Sequence, residues 1–207
     1  MTRGGRRWMA TALLALGATV VAACGGGETR ELAGYSIEPV PVVGEITLPD
    51  LTDDNAEFAL RADPGKILLI YFGYTNCPDF CPNTMANIKL ARQQLDDPAD
   101  LQMAMVTVDP GRDLATLASY VTGFIPDGHA LGTTDDDQLA QAASAFGVSY
   151  DVSTNAGGET EVAHTTLLYA VDAAGHVVLA WPFGVSIDDL AADIDYLLDH
   201  QPAGGDE

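Results

Sequence analysis

The chain has 207 residues, and 30 acidic against 9 basic side chains give it a formal net charge of −21. So anionic a surface excludes binding to nucleic acid or to an anionic membrane face through charge. It leaves open steering toward a basic partner, concentration of cations, or plain solubility in a salty or crowded exterior.

The first seven residues carry Arg3, Arg6 and Arg7, and residues 8–23 are apolar or small, ending Val21-Ala22-Ala23-Cys24. A basic start, a short apolar run and small residues before a cut read as a secretory signal, residues 1–23. The apolar run is shorter than the roughly 20 residues that a membrane-spanning helix needs. Its ending resembles the lipobox of bacterial lipoproteins, which implies a lipidated Cys24 as the new N-terminus. The expected location is therefore the bacterial cell membrane, lipid-anchored and facing the extracytoplasmic side. Arg6-Arg7 leaves the general and the twin-arginine export routes both open. Cleavage removes three arginines and no acid, taking the charge from −21 to near −24.

Residues 24–43 contain Gly, Glu and Pro with little periodicity and are expected to be a lipidated cysteine and flexible tether. About twenty flexible residues have an r.m.s. reach of about 25 Å. The folded domain is expected over 44–201, about 160 residues and enough for one core, with residues 202–207 a disordered tail. It opens with two extended runs, Ile46–Pro49 and Phe58–Leu60, split by the turn Thr52-Asp53-Asp54-Asn55. Residues 66–73 read as a buried strand and 82–96 as a helix. Leu101–Val108 reads as a second strand, and 113–124 as a helix with Leu114, Leu117, Val121 and Phe124 on one face. A short strand at 130–132 and a helix over 135–146 follow. Thr165–Val171 and Val177–Trp181 flank a turn, and Ser186 with Asp189 opens a last helix through Leu198. This βαβα order ending in ββα predicts an α/β, thioredoxin-like fold with an N-terminal hairpin extension and an insertion before the final hairpin.

The chemistry centres on Thr-Asn-Cys-Pro-Asp-Phe-Cys-Pro, where Cys77 and Cys81 follow the buried strand and lead into a helix. Free N–H groups and the helix dipole at such a junction favour thiolate over thiol. A spacing of four puts both sulfurs on one face if the first turn includes both. With Cys24 given to lipid, they are the one cysteine pair of an exported domain. The pair can close a redox disulfide or grip a soft metal ion. Where thioredoxin-like redox enzymes carry a proline before the final hairpin, this chain has Val162-Ala163-His164-Thr165-Thr166. His164 is read as the third member of an S₂N donor set suited to Cu(I), to Cu(II) with further ligands, or to Zn²⁺ with a fourth ligand. The competing role for His164 is a strand-end residue satisfied by backbone groups. His129, His176 and His200 are expected at the surface, and Met85, Met103 and Met105 in the core. Asp79 is a helix-cap or ligand-orienting candidate. Asp109 and Arg112 are expected to pair and hold their loop, or to support the metal ligands.

Tyr-Thr-Asn-Cys-Pro-Asp-Phe-Cys-Pro, then Val-Thr-Val-Asp-Pro-Gly-Arg-Asp, then His-Thr-Thr-Leu-Leu-Tyr before Asp-Ala-Ala-Gly, together resemble the Sco/SenC family over roughly residues 45–200. That resemblance implies a membrane-tethered, thioredoxin-like copper protein that helps assemble the binuclear copper centre of cytochrome c oxidase. It implies Cys77, Cys81 and His164 as copper ligands and the copper-bearing oxidase subunit as partner, with a monomer expected. The alternative that the resemblance also permits is a thiol–disulfide reductase using Cys77 and Cys81 as its catalytic pair, through a Cys77–Cys81 disulfide. The acidic run Asp135-Asp136-Asp137 departs from the family pattern and bears on any docking surface.

Overall fold

A computed structural model describes Met1 and residues 30–200. The signal sequence, Cys24 and the 202–207 tail lie outside the described residues, as does Gln201.

The strand Ile67–Gly73 (β3) is buried at every position, so its apolar run faces a core on both sides. It sits inside a seven-stranded sheet of order β2-β1-β5-β4-β3-β8-β9, with β1 Thr47–Asp50, β2 Ala56–Ala59, β4 Leu101–Thr107, β5 His129–Leu131, β8 Leu168–Val171 and β9 Val177–Trp181. β3, β4 and β5 run parallel, and β8 returns antiparallel to β3 with Leu68 opposite Val171 and Tyr71 opposite Leu168. Alternation divides β3 between two cores. Ile67, Leu69 and Tyr71 pack with Met85 and Ile88 of α1 (Phe80–Arg92), Val121 of α3 (Leu117–Phe124) and Ile194 of α5 (Ile187–Asp199). Leu68, Ile70 and Phe72 pack with Leu139, Ala143 and Phe146 around α4 (Asp136–Ala145). The opening hairpin pairs β1 with β2, and its turn puts Asp54 and Asn55 at positive φ, where short polar side chains are tolerated. Ser186 caps α5 by accepting from the Asp189 N–H at 3.1 Å while its hydroxyl donates to the Asp189 carboxylate at 2.7 Å. The expected methionines are core: Met85, Met103 and Met105 are at most 1% exposed. This is the thioredoxin-like arrangement expected.

Four local features differ from the sequence reading. The helix expected over 113–124 is two, α2 (Pro110–Asp113) and α3, because the Asp113 carboxylate turns inward and the Thr116 hydroxyl bonds back to the Asp113 carbonyl at 3.2 Å. Helix α1 starts at Phe80, so Cys81 lies in its first turn and Cys77 lies before it. The insertion folds as a separate two-stranded ribbon, β6 (Tyr150–Thr154) with β7 (Thr160–His164).

The fourth concerns the tether. From residue 33 the chain is docked along β9, bridging Tyr35 to Ala180 and Val42 to His176. Val43 is fully buried, and the turn at Gly175 (φ +81°) brings its backbone so close to Gly44 that a Cβ there would lie 2.3 Å from the Gly44 Cα. The buried Asp193 carboxylate fastens the start of this segment, accepting from the Ala33 and Gly34 N–H groups and from the Trp181 indole, each at 2.9 Å. Removing the carboxylate leaves three donors without that acceptor, each costing about 1–3 kcal/mol when buried. Asp193→Ala is therefore expected to lower unfolding free energy by about 2–4 kcal/mol in urea titrations and to open residues 33–43 to proteolysis.

Candidate metal centre

Cys77, Cys81 and His164 converge at the C-terminal end of β3. One ligand atom from each lies within 4.8 Å of the others. Cys77 comes from the loop after β3, Cys81 from the first turn of α1, and His164 from the last position of β7. His164 was expected to precede the next strand directly; instead Thr165, Thr166 and Leu167 intervene before β8. Its topological position is as expected, since β8 pairs beside β3.

The two sulfurs are not equivalent. Cys77 is 7% exposed and Cys81 fully buried. Burial acts to raise the Cys77 thiol, but the backbone N–H groups of Cys81 and Asp79 donate to its sulfur and bring it below the ordinary thiol value. The Cys81 N–H to Cys77 Sγ distance is 3.3 Å. Burial pushes Cys81 up to about 12, only partly relieved by the Tyr74 backbone and the Tyr71 hydroxyl. Without a cation, Cys77 is the more acidic of the two sulfurs and Cys81 the one that burial holds as a thiol.

His164 is half-buried and held below the ordinary histidine value by that burial, partly offset by a hydrogen bond to the Thr165 carbonyl. Since a carbonyl only accepts, the 2.8 Å contact fixes the proton on Nδ1. Nε2 then presents its lone pair toward the sulfurs, 3.8 Å from Cys81 Sγ. A ligating imidazole needs this arrangement, with its other nitrogen donated to a backbone group. Two soft sulfurs and one imidazole fit copper. A cleft of about 600 Å³ lies beside them, between Asn76 and Pro78 of the cysteine loop and the β6–β7 ribbon, and none of the three ligands lines it.

Sequence reasoning missed the group that holds the cysteine loop in place. The Asp113 carboxylate is fully buried and accepts from the Thr75 N–H (2.9 Å), the Thr75 hydroxyl (2.6 Å) and the Thr107 hydroxyl (2.6 Å). It ties the loop before Cys77 to the end of β4. Gly73 leaves the sulfur its space, since a Cβ there would fall 3.1 Å from Cys81 Sγ and 2.7 Å from the Tyr71 ring. The one advance sign of Asp113 was a second acid placed four residues after Asp109. Asp109 itself pairs with Arg112 as expected. Asp79 occupies the N-cap position, but its side chain takes the Asn83 amide at 2.7 Å and caps no backbone group.

The remaining histidines stand apart from the site. His129, expected at the surface, is partly buried: it bonds the buried Asp50 carboxylate at 2.7 Å and lies against Phe58, ring centroids 4.3 Å apart. His176 faces Asp172 at 3.3 Å, and His200 bonds the Tyr196 carbonyl at 2.8 Å. Asp135, first of the acidic run, caps α4 by accepting from the Asp137 and Gln138 N–H groups, so the run serves a helix start.

A family model described as SCO1/SenC matches residues 50–199. The chain belongs to the SCO1/SenC family. Among its SCO1/SenC relatives, a putative copper-binding protein of Stutzerimonas stutzeri is 30% identical over 163 residues, 73% of this chain and 76% of that one. The human mitochondrial SCO2 homologue is 35% identical over 136 residues, 60% of this chain and 49% of its own length. The chain thus spans about half or less of the mammalian SCO2 homologues it matches, from 39% of the bovine to 51% of the mouse protein. Of solved structures, apo Sco1 from Thermus thermophilus matches with a TM-score of 0.69 and 29% identity, covering 83% of this chain and 99% of that one. Yeast Sco1 with copper bound matches with a TM-score of 0.67 and 27% identity, covering 79% and 92%. The thioredoxin-like fold stands on these SCO1/SenC structures.

Asp113→Ala strands three donors at the foot of the cysteine loop. It is expected to destabilise the fold by about 2–4 kcal/mol. It should also speed alkylation of Cys77 by at least tenfold under conditions where the protein remains folded, read by mass spectrometry against the parent.

Proposed function

We propose that this chain is an extracytoplasmic copper carrier that delivers copper to, or prepares, the binuclear copper site of cytochrome c oxidase. The observation that carries the reading is the convergence of Cys77, Cys81 and His164, with ligand atoms within 4.8 Å of one another at the open end of the sheet. Copper is the cargo. Cys77 and Cys81 supply thiolates, His164 supplies Nε2, and the fixed Nδ1–H···O=C bond keeps that nitrogen aimed. A set of only three ligands suits transfer, because an incoming thiolate can join the metal and displace one ligand at a time. The copper-bound yeast Sco1 and the copper-binding Stutzerimonas relative support copper over zinc for the same donors.

The inequality of the two sulfurs favours a second reading, a thiol–disulfide reductase. The Cys77 thiolate attacks a partner's disulfide, forming a mixed disulfide and releasing one partner thiolate. Cys81 then loses its proton and attacks the Cys77 sulfur, leaving a Cys77–Cys81 disulfide and a reduced partner. No disulfide joins Cys77 and Cys81 in the structure.

The supporting organisation is proposed as read from the sequence: a signal at 1–23, lipid on Cys24, an outer-face location and a monomer, with the tether shortened to residues 24–32 by the docking of the segment that follows. Among the described residues no helix is long and apolar enough to cross a membrane.

Copper titration of the reduced protein against His164→Ala separates the readings. The parent is expected to hold one copper and the variant to bind at least a hundredfold more weakly, with an unchanged unfolding midpoint. Equal affinity would remove His164 from the site. No copper in either, with ready Cys77–Cys81 disulfide formation, would favour the reductase. For the anchor, Cys24→Ser is expected to move the protein from the membrane to the soluble fraction with copper content unchanged; continued retention would refute lipid attachment.

A further inference from the structure

Two tyrosines surround the metal-site histidine, and neither was singled out by the sequence. Tyr71, fully buried in β3, donates its hydroxyl to Cys81 Sγ at 3.6 Å. The same ring meets the His164 imidazole edge to face, with centroids 6.1 Å apart and planes at 76°. Tyr74, in the loop just after β3, meets that imidazole at 5.7 Å and 89°. Its hydroxyl interacts with the Cys77 sulfur.

His164 needs such support. It comes from the β6–β7 ribbon, which shares no hydrogen-bonded ladder with the main sheet. The ribbon's Tyr150–Thr154 strand is exposed beyond its first residue, so little packing fixes it. Both cysteines, by contrast, are buried against the sheet. Edge-to-face aromatic contacts are directional, and two of them at steep angles restrict ring rotation as well as position.

We propose that Tyr71 and Tyr74 are positioning residues of the metal site: their rings form a cradle that sets His164 against the two cysteines, and the Tyr71 hydroxyl tunes the electron density on Cys81. This rests on the copper-carrier reading. A hydrogen bond to a ligating sulfur withdraws density from it, and hydrogen bonding around such a sulfur is a known control on a metal centre's electronics.

Two kinds of variant separate the cradle from the hydroxyl. Tyr71→Phe keeps the ring and removes the donor. It is expected to hold copper within about threefold of the parent, with the thiolate-to-Cu(II) charge-transfer band moved to lower energy. Tyr74→Leu removes one wall and is expected to weaken copper binding at least tenfold while leaving the unfolding midpoint near the parent's. A merely structural role would shift stability in both and leave the band where it was.

A copper-independent readout keeps this test apart from the one on function. In the metal-free protein the His164 ring protons are expected to be shifted by the two aromatic faces and edges. In Tyr74→Leu they should move toward the positions of a free histidine. If the parent holds no copper, the carrier reading fails, and the cradle still stands or falls on these resonances. An unmoved band in Tyr71→Phe would overturn the tuning role. Unmoved His164 resonances together with parental affinity in Tyr74→Leu would overturn the cradle.

Discussion

Everything at the site depends on the buried Asp113 carboxylate. A strand buried on both faces delivers the chain to Gly73, and the next eight residues must turn back into a helix while bringing two sulfurs inside. Its local bonds are long, Cys77 N–H to the Tyr74 carbonyl at 3.4 Å and Cys81 N–H to the Cys77 sulfur at 3.3 Å. Asp113 ties the loop to the rest of the fold, by accepting from Thr75 on the loop and Thr107 at the end of the neighbouring strand. A buried carboxylate is costly unless saturated with donors. Its three hydrogen bonds therefore force the loop, the β4 terminus and the short helix α2 into one arrangement. The same demand breaks the helix that the apolar pattern at 114–124 would otherwise have continued.

That arrangement leaves Cys77 and Cys81 in different environments four residues apart. Cys77 sits outside the helix, where N–H groups point at its sulfur; Cys81 sits inside the first turn against the core, where the Tyr74 backbone and the Tyr71 hydroxyl only partly offset its burial. The helix therefore starts between the cysteines. A metal cation erases the difference by drawing both into the thiolate form. A disulfide partner exploits it, because the attacking and resolving sulfurs are already distinguished. The two readings of the protein are thus two uses of one asymmetry, and His164 is the element that the metal alone requires.

What the sequence disclosed follows the range of the interactions involved. Cys77 and Cys81 were legible because spacing and an apolar run place them at a strand–helix junction. His164 was legible because the order of elements returns the chain beside that junction. The β6–β7 ribbon escaped because Tyr-Asp-Val-Ser-Thr and Thr-Glu-Val-Ala-His offer few apolar residues and bury little, so no pattern marks them as strands. The docking of residues 33–43 escaped because its fastener, Asp193, lies some 160 residues away on a helix where an acid ordinarily reads as solvated. His129 escaped for the same reason: its partner Asp50 is remote in sequence and buried. Polar groups that act at long range inside the fold leave no periodic signal, and these account for most of what was missed.

The docked segment extends the sheet beyond β9. Tyr35 bridges Ala180, which stands opposite Tyr169, itself opposite Ile70 in the middle of β3. The segment is therefore three strand spacings from β3, a lateral distance of about 14 Å. With Cys24 lipidated as proposed, residues 24–32 can extend at most about 30 Å. Under the proposed anchoring, a strongly acidic body is repelled from anionic headgroups, while the anchor limits how far the domain can stand off.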